Sequence, residues 1–252
     1  MFIAETDSTN TLLRQHFLDR EDLFTLYTDF QTAGRGQQGN GWESEKGKNL
    51  LFSTLLRDWQ IPLDRLFLLN QAVSLALYRA VLPCLPADLQ PFLAIKWPND
   101  LYFKDRKLAG ILIENLWQAN RLHRSIAGIG LNVNQTRFLS PAPNPISLCQ
   151  ITGHEIERLT ILHHFLRNLQ SLRTLLPDNI HQAYMNALYR RQGLFLWEER
   201  EVSTDPTMPQ TERNNRQFLA SIHTILPSGE LVLLTKDNQL RTYHFKQVRY
   251  VL

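Results

Sequence analysis

The sequence predicts an α+β protein: a mixed, mainly antiparallel sheet with packed helices, followed by a small C-terminal β-barrel. Three observations carry that prediction. Strand-like segments between residues 92 and 132 follow one another through short turns, and such turns join antiparallel neighbours, whereas parallel strands need long crossovers. Apolar residues recur at helical spacing after Pro62 and again after Thr160. From about Gly193 the chain changes to short strands separated by turn residues. The expected division is 1–190 for the larger domain and 191–252 for the smaller one.

In chain order, the first element reads as a short helix. Ser8, Thr9 and Asn10 offer cap residues, and Leu12, Leu13, His16 and Phe17 follow at helical spacing. Leu23 to Phe30 is aromatic and β-branched enough for a strand. It enters QTAGRGQQGNGWESEKGKN (31–49), which has five glycines and no apolar periodicity, and long loops inside compact domains are usually functional. Asn49 to Leu56 returns to strand character, and Pro62 opens an apolar helix through Val81. Phe92–Trp97, Asp100–Lys104, Leu108–Trp117 and Leu122–Asn132 read as strands joined by turns at Asp105-Arg106 and Ala119-Asn120, which argues against a Rossmann sheet. After the Pro-rich SPAPNP (140–145) come helices over about 160–175 and after Pro177. Strands near Phe218, Glu230 and Leu240 make up the tail, with a polar loop at 201–217.

Composition bounds the class. Over 252 residues, 27 basic and 24 acidic side chains leave a net charge of +3, with 43% hydrophobic and 20% charged residues, as in ordinary globular proteins. A chain of this length buries roughly 70–75% of its unfolded surface and folds without disulfides or metals. Cys84 and Cys149 stand alone, which excludes a CxxC site or a disulfide framework. The N-terminus lacks the basic and apolar regions of a signal peptide, and no run of about 18 apolar residues is evident. A cytoplasmic setting is expected, with no membrane partner.

Three segments could carry chemistry. GRGQQGNG (34–41) exposes backbone N–H groups that could aim at one anion, beside the planar fork of Arg35; a plain surface loop fits the composition as well. It is neither a Walker A loop nor a dinucleotide fingerprint. In KWPNDLYFKDRKLAGILIE (96–114), Asn99 and Asp100 could offer oxygens to a hard cation or merely bond the turn backbone. Lys107 opens an apolar strand, where it could snorkel to water, and Gly110 within that strand suits close approach by a ligand. In GIGLNVN (128–134), Asn132 could pair with an adenine edge or simply end the strand. No nucleophile motif is present, and His163-His164 suits a surface better than a metal. A reaction here would depend on positioning and charge neutralisation.

Taken together, DSTN (7–10), QTAGRGQQGNGWES (31–44), KWPND (96–100), RKLAGILIE (106–114) and GIGLNVN (128–134) resemble the biotin–protein ligase family, in its order and spacing across roughly the first half of the chain. The β tail is similar to the family's C-terminal domain. The resemblance implies a class II synthetase-like catalytic domain and a two-step acyl transfer. Biotin's carboxylate attacks the α-phosphate of ATP to give biotinyl-5′-adenylate, and a lysine of a biotin carboxyl carrier protein then displaces AMP. Biotin and ATP would be the substrates, with Mg²⁺. It places Ser8, Thr9, Asn10 and Gln31 at the biotin head, Gly34 in the biotin site, and Arg35, Gly36 and Gln37 closing over the carboxylate and adenylate phosphate. Lys107 and Arg35 would be catalytic, neutralising charge where carboxylate meets phosphate. Gly110, Gly128 and Gly130 would leave room for the ligand, Trp42 and Gly39 would lie near the adenylate, Asn132 would bond the base, and Asp100 would help place Mg²⁺.

Two departures matter. Many relatives carry a basic residue where this chain has Gln37, so grip on the adenylate would rest more on Arg35 and backbone N–H groups. The biotin-site motif begins at residue 7, so no winged helix and no DNA partner are expected. A homodimer is compatible with the resemblance. The rival readings are lipoate or octanoate transfer within the same superfamily, and a nucleic-acid-binding regulator. The polar head set argues against the first, since an apolar dithiolane has no use for it. The lack of a dense basic patch argues against the second.

Overall fold

The computed structural model describes residues 1–36, 40–59, 61–119, 121–139, 144–200 and 216–251. Gln37, Gly39, Asn120, residues 140–143 and most of the polar loop at 201–217 lie outside them. Among the described residues, seven strands form one sheet. β1 (Phe2–Thr6) and β2 (Thr25–Gln31) run parallel, joined through α1 (Thr9–His16). β3 (Leu50–Arg57), β7 (Arg121–Leu131), β6 (Arg106–Gln118), β5 (Asp100–Phe103) and β4 (Leu93–Lys96) follow β2 across the sheet, all antiparallel. β1 precedes the helix expected as the first element; its five residues are too few to show a period.

Alternation along the strands divides the sheet into two faces. Leu50 and Phe52 of β3, with Ile111 and Ile129 of β6 and β7, point into the main core. That face is covered by α2 (Phe67–Val81), α4 (Arg158–Arg173) and α5 (Pro177–Asn186), with Phe52 and Phe165 meeting edge-on at 5.1 Å. Leu55 and Ile126 lie on the other face, under Leu13 of α1. The helix expected to open at Pro62 is entered through a 3-10 turn at Leu63–Arg65. The stretch Phe67–Cys84 is long and apolar enough to cross a membrane, unlike the sequence reading, yet most of it is buried between the sheet and the helices. The short α3 (Leu148–Thr152), also not anticipated, is closed by a Ser147/Gln150 capping box and by Gly153 at φ +81°.

After α5 the chain covers the free edge of the sheet: Ile95 N–H donates to Ala187 O and Tyr189 N–H to Ile95 O, both at 2.8 Å. It then enters a second sheet of β8 (Phe195–Glu199), β9 (Arg216–Ile225), β10 (Leu231–Thr235), β11 (Leu240–Tyr243) and β12 (Val248–Tyr250), all antiparallel in the order β11-β10-β9-β8-β12. The expected barrel is therefore an open sheet. Among the described residues its edge strands β11 and β12 do not pair with each other. One continuous apolar core runs through both sheets, and Trp97 bonds Gly229 O through Nε1 at 3.0 Å.

Candidate functional site

A cavity of about 280 Å³ opens between α1, the 34–42 segment, strands β5 to β7 and the second sheet. Its floor follows from strand register. Asp100, Gly110 and Gly130 are cross-strand partners in one row, and Leu112 and Gly128 in another, next to Ser53. Lys107 and Gly110 both line the cavity although three positions apart, which regular alternation would send to opposite faces. A register shift resolves this: Leu101 opposes Ala109 while Tyr102 opposes Lys107, so Leu108 is an extra residue. That bulge turns Lys107 onto the Asp100 side, where its Nζ lies 2.8 Å from Asp100 Oδ2. Asn144 O and Ile146 N–H hold the Lys107 backbone at 2.9 Å each.

At the other end of the cavity is a neutral polar network. Ser8 is the N-cap of α1 but makes no side-chain cap bond, and Thr9 and Asn10 are buried rather than capping. Their side chains turn toward the sheet. Thr9 donates to Gln31 Oε1 from its backbone N–H (2.8 Å) and its hydroxyl (3.0 Å). Ser53 Oγ lies 2.7 Å from Thr9 Oγ1 and 2.5 Å from Asn10 Oδ1. Asn10 Nδ2 donates to Glu114 Oε2 at 2.8 Å, and Glu114 also pairs with Arg35 at 3.3 Å. Beside Arg35 the described backbone pairs across the segment, with Trp42 N–H bonded to Gly34 O at 2.9 Å and Gly36 N–H to Asn40 O at 2.6 Å.

The cavity thus gathers Ser8, Thr9, Asn10 and Gln31, together with Arg35, Gly36, Trp42, Asp100 and Lys107, which the sequence reading placed in one site. Several expectations change. The glycines expected to make room for a ligand make room first for the protein's own side chains. A Cβ on Gly128 would sit inside 3.0 Å of Asn10, and one on Gly130 inside 3.0 Å of the Trp42 indole. Gly34 is not part of the lining; its missing Cβ permits the close approach of Trp42 O, 2.7 Å from where that carbon would be. Asn132 also lies outside the lining, buried, with Nδ2 donating to Ile146 O at 3.1 Å. Gln37 and Gly39 fall outside the described residues. Asp100 already neutralises Lys107, and no group of three His, Cys, Asp or Glu side chains suited to a metal occurs among the described residues.

Sequence reasoning missed Ser53, Glu114, Tyr184 and the wall from the second sheet, and it left Asn99 between a cation ligand and a turn bond. Ser53 was legible as a polar residue in the apolar strand LLFSTLLR, and Glu114 as a charge ending GILIE. Asn99, buried, bonds Ile111 O at 2.6 Å, and Tyr184 OH bonds Pro98 O at 2.8 Å; together they fix the KWPND turn beside the cavity. The second sheet supplies Phe245, Lys246, Val248, Arg249 and Tyr250 to one wall, which nothing in the local sequence signals.

Lys96, also on the wall, is largely buried, with Nζ 3.0 Å from Tyr102 OH and over the Tyr102 and Tyr250 rings. Burial is the main cause that pushes its ammonium down to about 8 from 10.5, aided by Lys107 and Arg190 and opposed by Asp100. Because the unfolded chain then binds the extra proton between pH 8 and 10.5, the cost of the buried charge is full below pH 8 and fades as pH rises toward 10.5. Lys96→Met is therefore expected to stabilise the protein at pH 7 by up to about 3 kcal/mol, less the cost of leaving the buried Tyr102 hydroxyl without its partner, with the gain shrinking at pH 10. Denaturant midpoints at the two pH values check this; a gain independent of pH would refute it.

The family follows from comparison. Residues 2–132 match the biotin/lipoate A/B protein ligase family, more than half of the chain and every strand of the first sheet. The chain belongs to that family. It is 34% identical over 221 residues to the bifunctional ligase/repressor BirA of Bacillus spizizenii, covering 86% of this chain and 63% of that protein. Against the biotin–[acetyl-CoA-carboxylase] ligase of Mycobacterium tuberculosis it is 31% identical over 174 residues, covering 67% and 62%. The chain thus spans less than two thirds of the length of these curated relatives. The solved structure of biotin protein ligase from Aquifex aeolicus in complex with biotin and ATP superposes with a TM-score of 0.74 at 22% identity, over 100% of this chain and 98% of that one. This family member has the biotin protein ligase fold.

Proposed function

We propose that this chain activates biotin with ATP to biotinyl-5′-adenylate and transfers the biotinyl group to a lysine on a carrier domain of a carboxylase. The observation that carries the reading is the division of the cavity wall. One end is the neutral hydroxyl and amide set of Ser8, Thr9, Asn10 and Gln31, backed by buried Ser53, which suits a ring bearing one C=O and two N–H groups. The rest presents the basic side chains Arg35, Lys96, Lys107, Arg200, Lys246 and Arg249, with Asp100 as the only acidic lining residue among those described. That wall suits a polyphosphate. Relatives that include a biotin–[acetyl-CoA-carboxylase] ligase, and a similar structure holding biotin and ATP, support the same substrates and the same kind of acceptor.

The first step brings two anions together. A carboxylate oxygen of biotin forms a bond to the α-phosphorus while the bond to pyrophosphate breaks. Lys107, held by its bulge at the cavity floor, neutralises charge where the two meet, and the loop's Arg35 adds a planar fork. Mg²⁺ enters as part of the ATP substrate. In the second step the carrier amine attacks the acyl carbon, the bond to the phosphate oxygen breaks, and AMP leaves.

Lipoate or octanoate activation is the alternative within the same family. ATP–pyrophosphate exchange with biotin and with lipoate, run in parallel, separates them. Exchange with biotin and not lipoate is expected; exchange with lipoate alone would overturn the substrate, and none with either would overturn the activity.

A further inference from the structure

Glu114 stands behind the cavity wall and touches both of its functional ends. It occupies β6 two positions after Leu112 and four after Gly110, so its side chain falls on the same face of the sheet as those lining residues. It is not itself part of the lining. One carboxylate oxygen accepts from Asn10 Nδ2 at 2.8 Å, and both oxygens lie 3.3 Å from Arg35 Nη2. Asn10 belongs to the buried polar end of the cavity and is also fixed by Ser53, whereas Arg35 sits in the glycine-rich segment with nearly half of its side chain in water. A long, half-exposed arginine has no fixed place unless an anion holds it. Glu114 engages it through Nη2 alone, and a guanidinium carries five N–H donors, so the remaining edge of the fork is left to face the cavity.

We infer that Glu114 is a positioning residue for the activation and transfer reaction: one carboxylate that sets both Asn10 at the polar end and the Arg35 fork over the anionic end. This rests on the function proposed above, and it assigns to Glu114 no contact with substrate. Glu114→Gln separates the two duties. The glutamine carbonyl still accepts from Asn10, while the charge that holds Arg35 is gone. Glu114→Ala removes both.

The test measures biotin affinity without ATP, the dissociation rate of biotinyl-adenylate, and thermal midpoints, in the full chain. Glu114→Gln is expected to leave biotin affinity within about twofold and to release the adenylate about tenfold faster, while Glu114→Ala loses both. In a double-mutant cycle, Glu114→Gln added to Arg35→Ala should release the adenylate no faster than Arg35→Ala by itself, because the glutamate acts through that arginine. Wild-type adenylate retention in Glu114→Gln, or effects of the two substitutions that multiply, would overturn the inference. A wild-type chain that forms no adenylate from biotin would instead overturn the proposed function, and this inference with it.

Discussion

Lys107→Met is expected to slow adenylate formation about 10²–10³-fold, the loss typical of removing one preorganised charge-stabilising group, worth ~3–4 kcal/mol. The geometry explains why no neighbour would compensate. The bulge at Leu108 is what turns Lys107 onto the cavity side of β6, and its backbone is held in that place by Asn144 and Ile146. Lys96 is anchored on Tyr102, and Arg35 is already paired with Glu114. The fold should survive, since the side chain is partly exposed and its partner Asp100 can be hydrated. Biotin binding without ATP should weaken far less than the rate, because the polar head network does not include Lys107. Single-turnover formation of biotinyl-adenylate, followed beside equilibrium biotin binding, checks the split. A variant with the wild-type rate would remove Lys107 from the chemistry.

Gly128→Ala is expected to abolish the polar head site, lowering biotin affinity at least about 100-fold, or ~3 kcal/mol. The added Cβ would sit inside 3.0 Å of the Oδ1 and Cγ atoms of Asn10 and at 3.0 Å from its Nδ2. Asn10 cannot give way cheaply, being buried and bonded to Ser53 and to Glu114. Either its amide swings out, costing Ser53 and Glu114 one hydrogen bond each, or α1 lifts from the sheet. Overpacking of this kind costs about 1–3 kcal/mol, and each orphaned polar group adds a similar amount. Adding Asn10→Ala to Gly128→Ala should restore much of the thermal midpoint while leaving biotin affinity low. Calorimetric titration and thermal melts on the single and double variants make the comparison. Normal affinity in Gly128→Ala would show that Asn10 is not part of the biotin site.

Much of this could be read from the chain alone, for reasons visible in particular segments. The hairpin turns after Phe103 and Gln118 make β5, β6 and β7 antiparallel, and turn chemistry is local. The apolar stripe of α4 appears within two residues of its expected limits, because a three-to-four residue period over sixteen residues is a strong signal. The polar residues that converge on the cavity, from Ser8 to Lys107, were named from motifs whose residue types fit the chemistry. What failed was short or non-local. β1 and α3 have five residues each, below what periodicity can resolve. The barrel expected at the C-terminus is an open sheet, since composition shows strands but not whether the first and last of them meet.

The sequence by itself determined the antiparallel order, the helical cover, the family and most of the side chains that share one cavity, because each depends on neighbours within a few residues or on a motif. The tertiary structure alone decided how those side chains are used. Strand parity assigns Lys107 and Gly110 to opposite faces, and only the bulge at Leu108, a feature of pairing with β5, brings them together. The empty space at Gly128 and Gly130 is filled by Asn10 and Trp42, which lie far away in the chain and arrive through strand register. Glu114 joins Asn10 and Arg35 across separations of 104 and 79 residues. The basic wall from β12 and its flanks reaches the cavity through a packing contact between two sheets. Contacts of that range depend on how finished elements pack, and packing is a property of surfaces, which a linear pattern does not contain.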